Sequence, residues 1–271
     1  MTTWSLLTTL WLFDPLALGV CAAAVALAAT AWRRSRARVR PLPFAAALLV
    51  FFLALASPIG RLADGYLFSA HMLQHLLLVL IVPPLLLLGL GPALEGRAAG
   101  RFERLLMRPV VTWGLGVGAM WLWHERTLCD AATQSALVHR VQEGSLLAMG
   151  TVFWWPILAP REESRLQPLS GVLYLFTACV ACTLLGIFIT FSPVAACSIY
   201  THPVDRLGVL PLLRDGWGLT AEKDQQVGGL FMWVPACLVY GTGILGVLAR
   251  LFHEHAAPAE TTTAGPEEVH P

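Results

Sequence analysis

Apolar residues in this chain gather into long runs instead of alternating with polar ones. Segments near Leu16 to Trp32, Phe44 to Ile59, Phe68 to Leu90, Val110 to Trp123, Gly144 to Leu158, Leu169 to Phe191 and Val227 to Phe252 stand out. Each approaches the roughly 17 to 25 residues that a helix needs to cross about 30 Å of hydrocarbon. Backbone groups in lipid are satisfied only within helices or closed barrels, and runs this continuous mean helices. The expected fold is therefore all-α: a polytopic membrane bundle of seven transmembrane helices over residues 14–254. Before it, residues 1–13 with Trp4 and Trp11 suit an outer interfacial segment; after it, 255–271, rich in Thr, Ala, Glu and Pro, reads as a disordered cytoplasmic tail. Without a basic n-region or a small-residue cleavage site ahead of Asp14-Pro15, no removable signal peptide is expected.

Composition agrees with this reading. Apolar residues make up 56% of the 271 and charged residues only 13%, and the mean hydropathy is +0.66. The net charge of +1 conceals clusters, since Lys223 is the only lysine and the arginines sit between the apolar runs. Arg33, Arg34, Arg36, Arg38 and Arg40 fall in the first connection, Arg97, Arg101, Arg104 and Arg108 in the third, Arg161 and Arg165 in the fifth, and Arg250 at the end of the last run. Twelve of the eighteen basic residues thus lie on one side, which the positive-inside rule makes cytoplasmic and which leaves the N-terminus outside. That pattern speaks for topology and against nucleic-acid binding.

With this orientation, His71 and His75 stand one turn apart on one face, roughly 5 to 10 Å below the outer end of the third helix. The fourth run ends outward at Met120-Trp121-Leu122-Trp123-His124, with Met120 on the face of His124. After an outer loop from Glu125 to Val138, His139 and Glu143 form another i, i+4 pair at the entry to the fifth helix, and Asp224 stands at the outer mouth of the seventh. These six polar residues map to one layer, although arginines alone set the topology. Two imidazoles at i, i+4 can ligate one ion, and imidazole with Met120 or Met72 leans toward copper, with zinc also admissible. Asp224 or Gln74 could orient a ligand from behind. Each has a structural reading too: His71 and His75 can bond neighbouring helices, His124 can belong to an aromatic belt, Glu143 and Asp224 can pair with Arg140 or Lys223, and Met120 suits a core.

Cys179 and Cys182 lie mid-helix without a second cysteine pair and, like Cys21 and Cys237, read as small packing residues. Cys129 and Cys197 fall on the outer side, where a disulfide is permitted, and sequence leaves their pairing open. Pro83-Pro84 should disturb the third helix, and Gly228-Gly229 should let helices approach.

Taken in order, these blocks resemble the CtaG-type cytochrome c oxidase assembly factors of bacterial membranes, over nearly the whole chain. The blocks are Phe13-Asp14-Pro15, Ala56-Ser57-Pro58, Phe68 to His75, Pro83-Pro84, Trp123-His124, Phe153-Trp154-Trp155-Pro156, Leu185-Gly186, Thr190 to Pro193, Trp217 to Leu219, Asp224-Gln225-Gln226 and Gly229 to Pro235. The resemblance implies a multi-pass protein of the bacterial plasma (inner) membrane, a metallochaperone and not an enzyme, that delivers copper to a haem-copper oxidase. Its implied partners are oxidase subunits and a periplasmic copper chaperone. His71, His75, His124, His139 and Asp224 match the family's characteristic polar positions. Where the family usually has Pro and Tyr, this chain has Arg126 and Cys129; Gln142-Glu143 replaces a Glu-His pair, and Cys197-Ser198 replaces a Tyr-Pro. Two rival readings of the same layer are a b-type haem protein with axial histidines from two helices, and an ion or proton transporter. Against the second, Leu76 to Leu88 continues inward without a polar residue.

Overall fold

The structure, a computed structural model, describes residues 2–35, 39–94 and 105–256. Its elements run α1 (Thr3–Thr9), α2 (Pro15–Ser35), α3 (Pro41–Ala56), α4 (Pro58–Ala63), α5 (Phe68–Leu76), a π-helical turn (Leu77–Ile81), α6 (Val82–Leu94), α7 (Pro109–Trp123), α8 (Arg126–Gln134), α9 (Ala136–Leu158), α10 (Pro168–Phe191) and α11 (Ala221–Ala256). Helices α2, α3, α4, α7 and α10 open on proline, whose missing N–H costs nothing in a first turn. All seven apolar segments are helical. Phe68–Gly91, Pro168–Phe191 and Ala221–His253 are long and apolar enough to cross a membrane, whereas Ala17–Thr30 and Pro41–Ala56 are shorter apolar stretches. Arg36, Arg38, Arg97, Arg101, Arg104 and residues beyond Ala256 lie outside the described residues.

Three boundaries differ from expectation. The second apolar run breaks at Ser57, whose extended backbone and side chain, accepting from the Ile59 amide, start α4. The fifth run begins at Ala136 instead of Gly144, because Arg140, Gln142 and Glu143 lower the local hydropathy although Gln142 and Glu143 are buried. The expected outer loop holds α8, capped by Glu125, which accepts from the amides of Thr127 at 3.0 Å and Leu128 at 3.3 Å and from the Thr127 hydroxyl. Those bonds, the Thr127 hydroxyl first, hold the Glu125 carboxyl below its ordinary range.

The third run stays continuous, yet its middle turn is widened. Pro83 and Pro84 have no N–H to offer the carbonyls of Val79 and Leu80, and the Val82 amide bonds back to Leu77. Gly150 of α9 packs there, since a Cβ would stand 2.5 Å from the Val79 oxygen.

Helices α10 and α11 make the most extensive pair, and α11 also lies along α5. Close approach is possible because Gly228 and Gly229 carry no side chain: a Cβ at Gly228 would meet the Phe68 ring at 2.5 Å, and one at Gly229 would collide with Thr190 Oγ1. The main core gathers Met72, Leu76, Met120, Leu146, Phe153, Tyr174, Met232 and Tyr240 between α5, α7, α9, α10 and α11. Outside it, Leu169, Leu173, Phe176, Val180, Leu184, Phe188 and Phe191 present one exposed apolar stripe along α10. A stripe of that length needs an apolar solvent.

Candidate metal centre

His71 and His75 are buried on α5, at 0% and 2% exposure, with ring centroids 4.1 Å apart. His139 of α9 stands 6.1 Å from His71, and His124, at the end of α7, stands 5.4 Å from His75 with the rings perpendicular. Four of the histidines singled out in the sequence therefore converge from three parts of the chain. Both ring nitrogens of His71 lack a hydrogen-bond partner among the described residues, and so do those of His75, although the Gln142 amide lies beside it. Buried polar atoms left this way are expensive unless something outside the chain meets them.

His124 shows the chemistry most directly. Its Nδ1 lies 2.5 Å from the Met120 carbonyl oxygen, and a carbonyl can only accept, so Nδ1 carries the proton. In the neutral ring Nε2 then presents a lone pair, and what it faces at 3.2 Å is the Met72 thioether sulfur, which has no proton to give. Two electron-pair donors at this separation can share one soft cation.

The carboxylates do different work. Asp224, expected among the ligands, accepts from the Phe68 amide at 2.8 Å, the Ser69 amide at 3.0 Å and the Ser69 hydroxyl at 2.6 Å. It thus caps the first turn of α5 from another helix, satisfying amides that have no partner within α5 and setting negative charge at its N-terminus. Glu143 accepts from Gln74 Nε2 and meets His139 Nε2, each at 3.2 Å, and takes Arg140 Nη1 at 3.1 Å. Arg140 continues to Asp14 at 2.5 Å, tying α9 to the start of α2. A proton on His139 Nε2 leaves Nδ1 as that ring's lone pair, so Glu143 is placed to set a tautomer. These contacts give Asp224 and Glu143 partners within the protein.

Below the imidazoles, His75, His124, Met120, Cys182 and Met232 line a cavity of about 10 Å³, room for about one water. Cys182 Sγ donates to the Met232 carbonyl at 2.8 Å, and Cys179 and Cys237 stand 2.9 Å apart at the α10–α11 contact. Among the described residues, no three His, Cys, Asp or Glu side chains are grouped as a ready metal site. The Met72 sulfur and His124 Nε2, by contrast, already face each other.

Sequence reasoning left Cys129 and Cys197 open, and the structure joins them in a disulfide with Cα atoms 5.7 Å apart. Beside the bond, Asp130 accepts from the amide and hydroxyl of Ser198 at 2.7 and 2.9 Å. This clasp carries Tyr200 to 5.8 Å from His71, with its hydroxyl donating to the Ala63 carbonyl at 2.6 Å. Tyr200 was not foreseen; its one signal was being the aromatic residue soon after Cys197. Gln225, quoted only as part of a motif, gathers the chain after α10: its Nε2 donates to the carbonyls of Ile189, Ser192 and Val194, each at 3.2 Å, and its Oε1 accepts from the Ala196 amide at 2.9 Å.

Fold and site together define a helical bundle of membrane-spanning character with an imidazole and thioether cluster buried near one end. The profile of the cytochrome c oxidase caa3 assembly factors matches residues 22–254, and the chain belongs to that family. It is 26% identical over 211 residues to "Uncharacterized protein ML1998" of Mycobacterium leprae (strain TN), covering 70% of this chain and 31% of that protein. With "Uncharacterized protein Mb0105" of Mycobacterium bovis it shares 27% identity over 253 residues, covering 83% of this chain and 37% of the relative. The chain thus spans about a third of the length of the curated relatives it matches. No solved structure matches it.

Proposed function

We propose that the protein serves cytochrome c oxidase assembly by holding copper as cargo at the imidazole cluster and passing it to a haem-copper oxidase subunit. It crosses the bacterial plasma membrane seven times, with its N-terminus outside, its C-terminus in the cytoplasm and the cluster toward the outer face. The family supports the assembly role. The observation that carries the copper reading is the His124 Nε2 lone pair set 3.2 Å from Met72 Sδ, above a cavity lined by two more soft side chains, Met232 and Cys182. His71, His75 and His139 add imidazoles in a chain of ring-centroid separations from 4.1 to 6.1 Å, a donor set suited to copper in either oxidation state and less so to a hard cation. Their position near a bundle end suits exchange with a periplasmic copper chaperone and with the receiving subunit.

Metal analysis of the detergent-purified protein after copper loading tests this. The parent should retain copper. Both the His71→Ala, His75→Ala double variant and Met72→Leu should retain at least about tenfold less, the scale of losing one well-placed donor. Copper at background in the parent, or equal retention in all three, would remove the proposal and leave a scaffold that holds oxidase subunits together.

A further inference from the structure

The opposite end of the bundle holds a larger opening. A cavity of about 750 Å³ is walled by apolar side chains including Leu85, Leu88, Ile157, Leu158, Val239 and Val247, and the same cavity is lined by Arg40, Arg165 and Arg250. These arginines come from the start of α3, the link between α9 and α10, and the end of α11, so they mark one end of the bundle. The Arg165 guanidinium is held in place, donating from Nε to the Ala159 carbonyl at 2.7 Å and from Nη2 to the Pro160 carbonyl at 3.3 Å. Among the described residues, Glu162 is the one carboxylate that lines it. It stands 3.6 Å from Arg165 with its side chain 91% exposed, where solvent screens the pair.

We propose that this cavity binds an anionic phospholipid, with the phosphate at Arg40, Arg165 and Arg250 and an acyl chain along Leu85, Leu88 and Val247. Charge and shape choose this occupant together. A free phosphate gains nothing from the apolar walls, and a zwitterionic lipid gains less from three guanidinium groups because its ammonium opposes them. From Leu80 to Leu88 the wall rises by roughly 12 Å, enough to shield much of an acyl chain. Trp154 lines the same cavity, is 3% exposed, and its indole N–H has no hydrogen-bond partner among the described residues. A glycerol ester supplies carbonyl acceptors. The inner wall is Leu80 and Ile81 of the π-helical turn that follows His75, so the lipid would brace the helix that carries the buried imidazoles. The inference rests on the membrane placement proposed above and is independent of copper.

Native mass spectrometry of the full chain in dodecylmaltoside, titrated with phosphatidylglycerol and with phosphatidylethanolamine of the same acyl length, tests it. Phosphatidylglycerol should bind the tighter, and millimolar inorganic phosphate should fail to displace it. Arg40→Gln should weaken phosphatidylglycerol about fivefold, the scale of one basic side chain at an anionic headgroup, and weaken phosphatidylethanolamine less, because its ammonium already opposes the arginines. A side chain at Gly246 starts in open space, so Gly246→Phe should plug the cavity and weaken both lipids while the unfolding midpoint holds. Equal binding of the two lipids, displacement by phosphate, or no effect of Arg40→Gln overturns the proposal, and that variant decides the matter if Gly246→Phe does not fold. Copper retention, read in the same preparations, should not change.

Discussion

The two carboxylates and the imidazoles at the same end of the bundle looked alike as polar residues in an apolar chain, yet their surroundings are opposite. Asp224 and Glu143 use their oxygens on partners within the protein: three donors of α5 for the first, and Gln74, His139 and Arg140 for the second. His71 and His75 use none of their nitrogens within the described residues, and His124 turns a lone pair toward a sulfur. Groups that hold a fold together are saturated by it, whereas groups kept for a ligand are left open at a cost in stability. The carboxylates frame the site, and the imidazoles are the part left open.

Asp224→Ala should strike this contrast hardest. It strands two amides and a hydroxyl at a buried helix start, and thermal or denaturant unfolding in detergent should show a loss of about 3 kcal/mol. Unchanged stability with abolished copper retention would instead make Asp224 a ligand and break the contrast. Glu143→Gln keeps the shape but takes the charge from Arg140 and the tautomer control from His139. The expected cost is about 1–2 kcal/mol, with copper affinity about tenfold weaker. The smallest effect on stability should come from His71→Leu with His75→Leu, because only the Gln142 amide beside His75 is left behind. The unfolding free energy should move by less than about 1 kcal/mol while copper falls to background. A loss as large as that of Asp224→Ala would mean that these histidines are structural after all.

Helix positions were legible in the sequence because apolar runs persist for whole spans, and the convergence of His71, His75, His124 and His139 followed once arginines had set their depth. What stayed hidden depends on partners far along the chain. Nothing around Asp224 reveals that it caps Ser69, which lies 155 residues away. The early start of α9 was hidden for a related reason: Arg140 and Glu143 depress the local average, although each neutralises the other. Hydropathy reads residues singly, and these are stable only in pairs. The π-helical turn was foreshadowed by Pro83-Pro84, but its form depends on which carbonyls lose their donors.

The Cys129–Cys197 bond joins the connection after α7 to the connection after α10, across a sequence separation of 68. Such a bond is typical of compartments where thiols are oxidised, and in the proposed topology two membrane passes separate the synthesis of its halves. In the proposed topology it can close only after both connections have been exported to the same side, so it acts as a seal on correct insertion. In the proposed reading, that seal helps to hold Tyr200 against His71, so the bundle would be inserted before its cluster takes final form.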